Sequence, residues 1–407
     1  MATFPPENEW PAFWNRFGQG TVEQCALHLS DWARKNNRSP AEASWFLWRL
    51  DALLHRSKKW PRLTQTPGIF FPPKQNAEQA SSEATALFKA CFLARHGPLH
   101  RVFDLTGGSG VDTWALEQSG AQVTVYERDP LLAALLLHNG ELLGTQRTVV
   151  QGSSDALAIP TDDPVDALLI DPLRRVQGSH RVPWEESEPN PKTHWTDWCQ
   201  KAKQVLLKTS PMADVHAVEK AFPQANRLLF VEVGGEMKEI LVHKGSQDTL
   251  SHPSPLRTVV QLQYSGEIIS EIEYDPTAEN PKPTFVEPMA GAYLYDPGAA
   301  LIASRCADLE ADKWGMHRLC AQSPLYQSTA YFPLWPGRIL RIQSVEKPYK
   351  EPWEGGWSIV SKDFPEKPAS IRSKLHCGED SERFLYALID GYKNRSFLRC
   401  QKVNGVP

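Results

Sequence analysis

The chain has 407 residues, 41% hydrophobic and 23% charged, an ordinary balance for a globular protein with material for two to three domains and ample core. Its formal charge of -4 gives no support to a strongly basic nucleic-acid binder, and no apolar run approaches the ~20 residues needed to span a bilayer. The first residues lack the basic and apolar regions of a signal peptide. Seven cysteines stand singly with no C-x-x-C, which argues against a zinc site or a disulfide framework and fits a reducing cytoplasm.

Residues 1–95 read as a helical segment. Ala26, Leu27, Leu29 and Trp32 make one helical face, and Ser39-Pro40-Ala41-Glu42 has the form of a helix start, with Pro40 in the first turn and Glu42 as a capping-box partner. That helix carries Trp45, Phe46, Trp48, Leu50 and Leu53 towards His55, Arg56, Lys58, Lys59 and Arg62, a basic cluster around Trp60 that suits either phosphate contact or a solvated surface. Thr64 to Lys74 reads as a proline-containing linker, and Ser81-Ser82-Glu83 opens a further helix.

The next stretch organises the chain. Arg101 to Leu105 reads as a buried strand that runs into Thr106-Gly107-Gly108-Ser109-Gly110, followed by a helix from Val111. A strand, a glycine turn and a helix N-terminus form a nucleotide-type binding site, but the spacing is neither G-x-G-x-x-G nor the phosphate-binding loop. Asp104 would repel a pyrophosphate and suits a ligand with positive charge there, which favours S-adenosylmethionine (SAM) over NAD or ATP. Gln122 to Tyr126 reads as a second strand ending in Glu127, which is 23 residues after Asp104 and placed to meet ribose hydroxyls. Asp129 and Pro130 open the next helix. Thr148 to Gln151 is a third strand, after which Asp155-Ala156 is placed to receive an adenine amino group. Val165 to Ile170 is a fourth strand ending in Asp171-Pro172-Leu173-Arg174-Arg175, and Gln204 to Lys208 is a fifth. Gln177 to Thr193 reads as a polar loop beside the site. Arg227 to Glu232 and Arg257 to Gln263 are the last strands.

This succession resembles the class I SAM-dependent methyltransferases. Glu78-Gln79-Ala80-Ser81-Ser82-Glu83, Thr85, Lys89, Asp171-Pro172-Leu173-Arg174-Arg175, Lys208-Thr209-Ser210-Pro211-Met212, Tyr295-Asp296-Pro297 and Pro336-Gly337-Arg338 are similar to the bacterial members that carry a C-terminal THUMP-like domain. The chain departs from that pattern at Ser361-Lys362-Asp363 and Gly378-Glu379-Asp380. The resemblance implies an α/β fold with a Rossmann-like doubly wound sheet at 96–275, a small ferredoxin-like α/β module at 283–327 and a THUMP-like α+β domain at 329–403. It implies SAM as cofactor and RNA as substrate, with the THUMP-like domain holding it. From Gly337 onwards 13 Lys and Arg stand against 9 Asp and Glu, a local excess that also favours RNA.

The expected cofactor-binding residues are Asp104, Thr106, Gly107, Gly108, Gly110, Glu127, Asp155, Ala156 and Asp171; the expected catalytic residues are Asp171, as proton or hydrogen-bond acceptor, and Arg174, as a phosphate clamp. No metal is needed. Cys199 lacks the neighbours of a nucleophile, which leaves non-covalent transfer to nitrogen or oxygen. A small molecule or protein as acceptor, or SAM binding without an RNA substrate, stands as the alternative.

Overall fold

The computed structural model describes residues 3–154, 164–174, 184–245, 254–279, 281–350 and 353–403. The chain divides into two compact units: Met1–Gly234, Lys238–Leu256 and Leu262–Ile269 form the first, and Gly235–Met237, Arg257–Gln261 and Ser270–Pro407 the second.

The first unit starts with helices whose ends are fixed by side chains. Helices α1 (Trp10–Phe17), α2 (Val22–Lys35) and α3 (Pro40–His55) follow one another. Thr21 with Gln24, and Ser39 with Glu42, each form a complete capping box, satisfying two orphan N–H groups apiece. These helices bury Phe13, Trp32, Trp45, Phe46 and Leu50 against Phe70 and against Leu132 and Leu135. Not one of the fourteen tryptophans is exposed, so they serve as core rather than as surface platforms. The Thr64–Lys74 stretch is a packed strap and not a free linker: Phe70 and Asn139 exchange two hydrogen bonds, and Ile69, Phe70 and Phe71 are buried.

Helices α4 (Lys74–Gln79) and α5 (Glu83–Arg95) lead into β1 (Arg101–Asp104). There follow α6 (Val111–Gln118), β2 (Gln122–Glu127), α7 (Pro130–Leu142), β3 (Thr148–Gln151), β4 (Val165–Ile170) and the short pair β5 (Leu173–Arg174) and β6 (Ser187–Glu188). Then come α8 (Pro191–Lys201), β7 (Ala202–Thr209), α9 (Val215–Ala221), β8 (Arg227–Val233) and β9 (Glu236–Lys244). Among these strands the sheet order is β8-β9-β7-β4-β1-β2-β3. Pairs β1·β2, β1·β4, β2·β3 and β4·β7 are parallel, and β9 returns antiparallel on β7 with Leu207 opposite Val242. All six residues of β4 are buried, as a central parallel strand covered on both faces requires. Part of the polar stretch expected as a loop is folded: Ser187–Glu188 pairs with Leu173–Arg174, and Asn190 caps α8.

A hairpin, β10 (Leu256–Leu262) and β11 (Ile268–Tyr274), carries residues of both units. The second unit continues with β12 (Tyr293–Pro297), α10 (Ala299–Ala303), α11 (Ala307–Lys313), β13 (His317–Arg318), β14 (Tyr326–Ser328) and β15 (Gly337–Glu346). It ends with β16 (Ser358–Lys362), α12 (Pro368–Leu375), β17 (Arg383–Ile389) and β18 (Arg395–Lys402). One sheet of order β13-β14-β12-β15-β18-β17-β16 joins them, so residues on both sides of position 328 share it. Two cores form: Leu294, Leu340, Tyr386 and Leu398 belong to one, Trp353, Trp357, Ile371 and Phe397 to the other.

Candidate active site

The site grows from the turn after β1. Glycine is required there for two reasons. A Cβ on Gly107 would lie 2.6 Å from Val125 Cγ2 and 2.7 Å from Leu136 Cδ1, and Gly110 opens α6 at φ 79°. The Gly107 N–H bonds the Tyr126 carbonyl, tying the turn to β2. Glu127 locks the same turn: its Oε2 accepts from the Gly108 N–H at 2.7 Å and its Oε1 from the Asp129 N–H at 2.7 Å. Burial pushes the Glu127 carboxyl above its ordinary pKa.

The turn borders an open cleft. Thr106, Gly107, Gly108, Glu127 and Asp171, all expected from sequence, lie on its wall. Thr106 also joins two strand ends, its Oγ1 accepting from the Asp171 N–H at 2.7 Å. Asp104 and Gly110 are not among the lining residues. Instead of facing a ligand, Asp104 is buried and accepts from the Thr106 N–H at 3.0 Å and the Thr113 hydroxyl at 2.6 Å, so it shapes the turn from behind. Asp155, Ala156 and Arg175 lie outside the described residues. Gly152, Ser153 and Ser154, which lead to them, line the cleft. Arg174 is described in its backbone alone, opposite Ser187 in the β5·β6 pair. Cys199 is not on the cleft wall, and burial raises its thiol pKa to about 12, which fits no nucleophile.

Four of the cleft's charged groups are acidic: Asp112, Glu127, Asp171 and Glu188. Among the described residues the one cationic side chain on the wall, Arg128, is paired with Glu188. Behind this wall runs a chain of alternating charges that sequence reading did not assemble. Asp171 Oδ2 accepts from Lys208 Nζ at 2.6 Å; Lys208 lies 3.7 Å from Glu239; Glu239 lies 3.8 Å from Lys89; and Lys89 meets Asp112 at 2.7 Å. Ser81 bridges its far end, accepting from Lys89 at 2.8 Å and donating to Asp112 at 2.7 Å. Burial opposes the Lys89 charge, but Asp112, Glu239 and Asp171 more than offset it and raise its pKa. Burial raises the Glu239 carboxyl against the pull of both lysines. Lys89 carried a local signal: it shares a helical face with buried Thr85, Ala86 and Leu93.

Of the basic cluster around Trp60, Lys59 and the tryptophan itself are turned inward. Lys59 Nζ donates to the Ala77 and Glu78 carbonyls at 2.9 and 3.1 Å, Trp60 Nε1 donates to the Ser81 carbonyl, and the Glu83 carboxylate accepts from the Arg62 and Leu63 N–H groups. Burial lowers the Lys59 pKa to about 8. Lys59 and Trp60 therefore clamp the Ala77, Glu78 and Ser81 backbone beside the cleft, while His55, Lys58 and Arg62 stay exposed.

Asp104 gives the site a pH signature. Burial, against the two hydrogen bonds it accepts, raises its pKa from 3.8 to about 7. The folded state then holds a proton that the unfolded chain releases, so this contribution to stability is full below about pH 4 and is lost as pH rises through about 7. Measured by urea unfolding from pH 4 to 8, wild type is expected to lose stability relative to Asp104→Asn, which carries no titrating group there, as pH rises across that window. A difference that stays flat shows an ordinary carboxyl.

The arrangement matches a known fold. Across 99% of this chain and 100% of the other, the structure is similar to the crystal structure of a proposed methyltransferase from Porphyromonas gingivalis W83, with a TM-score of 0.81 at 22% identity. The chain has the class I methyltransferase fold. No family model matches it. Two curated relatives do, both ribosomal RNA small subunit methyltransferase J. The one from Alkalilimnicola ehrlichii is 45% identical over 62 residues, 15% of this chain and 23% of the relative. The one from Rhodopseudomonas palustris is 33% identical over 103 residues, 23% of this chain and 46% of the relative. The chain thus spans less than half the length of either. No described helix is long and apolar enough to cross a membrane.

Proposed function

We propose that this protein is a SAM-dependent methyltransferase acting on RNA, with a THUMP-like domain at 329–403 that holds the substrate. The observation that carries the reading is the acid-rich cleft over the glycine turn, with Glu127 at the second strand's end and Asp171 at the fourth's. A class I site of this chemistry accepts a cationic nucleoside: the glycine turn lets the backbone approach, Glu127 takes the ribose hydroxyls, and Asp155-Ala156 takes the adenine. Bound SAM supplies an electrophilic methyl on its sulfonium. The protein's own part is positioning and water exclusion.

Asp171 stands at the acceptor. Lys208 holds its Oδ2, while Oδ1 has no partner among the described residues and can take a hydrogen bond or the proton of an attacking nitrogen or hydroxyl. Arg174 is assigned to a nearby substrate phosphate. The RNA assignment draws on the names of the two curated relatives and on the basic balance of the C-terminal segment.

Titration calorimetry with SAM tests the cofactor. Glu127→Ala removes a hydrogen-bonded charge worth about 1.5–3 kcal/mol, so affinity is expected to fall roughly tenfold or more. Unchanged affinity removes Glu127 from the site. Transfer of tritiated methyl from SAM to ribosomal RNA of a deletion strain tests the substrate, and labelling of protein or small molecules alone instead replaces RNA as the acceptor.

A further inference from the structure

The second unit presents a row of side chains suited to stacking and to phosphate. Strand register places Ser328, Tyr293, Arg341, Gln401 and Arg383 directly beside one another on β14, β12, β15, β18 and β17. Directly paired residues share one face of an antiparallel sheet, and at 4.7–4.9 Å per strand the row is roughly 19 Å long. The neighbouring positions Leu294, Leu340, Phe384 and Cys400 are buried in the opposite core, so the row is what this part of the sheet offers outward.

The chemistry of the row is specific. The Arg341 guanidinium lies 4.3 Å from the Tyr293 ring centroid and has no carboxylate partner among the described residues. Tyr331, 38% exposed, lies 5.2 Å from Tyr293, so an aromatic ring stands on the outer side of this stack. Gln401 is exposed, and Arg383 stacks on Trp357 at 5.0 Å while bonding Asp380. A guanidinium laid flat on a ring keeps its edge donors for a phosphate, and the free tyrosine face takes a base. The row contains no carboxylate and no aliphatic side chain, which disfavours the apolar centre of a protein interface.

We propose that this row is a binding surface for single-stranded RNA, with the outer ring, Tyr331, stacking a base and Arg341 holding a phosphate. The proposal rests on the RNA reading above and deepens it by naming where the strand lies. Full-length protein and a fluorescein-labelled 12-nucleotide oligouridine, followed by anisotropy at several salt concentrations, test it. Arg341→Ala is expected to weaken binding about fivefold or more and to flatten the slope of log affinity against log salt by about 0.7, one single-strand phosphate's worth. Arg341→Lys should keep the slope while losing part of the affinity. Tyr331→Ala, at an exposed ring, should weaken binding about fivefold with the slope unchanged. Calorimetric SAM affinity should stay at the wild-type value in all three. Wild-type affinity and slope in both Arg341→Ala and Tyr331→Ala overturn the surface, as does a wild-type protein that does not bind the oligonucleotide. Methyl transfer to ribosomal RNA persisting in either case would leave the substrate reading standing while this surface falls.

Discussion

Lys89→Met is expected to destabilise the protein by about 3–5 kcal/mol, the usual cost of leaving buried charge without its partner. The Lys89 side chain is 1% exposed and stands between Asp112 and Glu239, with Ser81 as a third contact. Methionine keeps the length and the packing and removes only the charge, so the loss falls on the two carboxylates. Urea unfolding at neutral pH with an unchanged m-value reads it. The double variant Lys89→Met with Glu239→Gln should recover part of the loss, because the second substitution removes one of the stranded charges. A single-variant loss below about 1 kcal/mol would show that the chain of charges carries little energy.

Asp171→Asn is expected to lower turnover by about two orders of magnitude or more, the scale of a lost proton acceptor, with SAM affinity within about twofold of wild type. The backbone link to Thr106 does not depend on the carboxylate, so the glycine turn keeps its shape. Lys208 retains an oxygen to bond in asparagine. Arg174→Ala should instead weaken substrate binding and reduce its salt dependence. If Cys199→Ala abolished turnover while Asp171→Asn did not, non-covalent transfer would be wrong. Rates under single-turnover conditions, beside calorimetric SAM affinities, separate these outcomes.

Local rules made much of the first unit readable. β1 at Arg101–Asp104, the Ser39 capping box and the Asp129-Pro130 helix start each follow from residues within a few positions of one another. The cleft wall at Thr106, Gly107, Gly108, Glu127 and Asp171 was legible for the same reason: strand ends and turns carry their own signatures. What escaped was set by distance along the chain. Ser81, Lys89, Asp112, Lys208 and Glu239 come from five separate elements or turns, and only the closed sheet brings them together. Asp104 closes its strand as expected but faces α6, where the Thr113 hydroxyl, nine residues on, donates to its carboxylate. Lys59 and Trp60 read as a basic patch because sequence does not show that two backbone carbonyls and Ser81 await them.

The surplus of carboxylates among the described residues of the cleft has a consequence for the exchange of ligands. On the proposed SAM reading, a sulfonium enters with a positive charge that the wall favours. The thioether left after methyl transfer has lost that charge, while the wall is unchanged. Incoming donor is thereby preferred over spent product by electrostatics alone, with no movement of the protein required to tell them apart. The preference weakens as ionic strength screens the open side of the cleft. Inhibition by accumulated product should therefore be mild in dilute buffer and grow as salt is added.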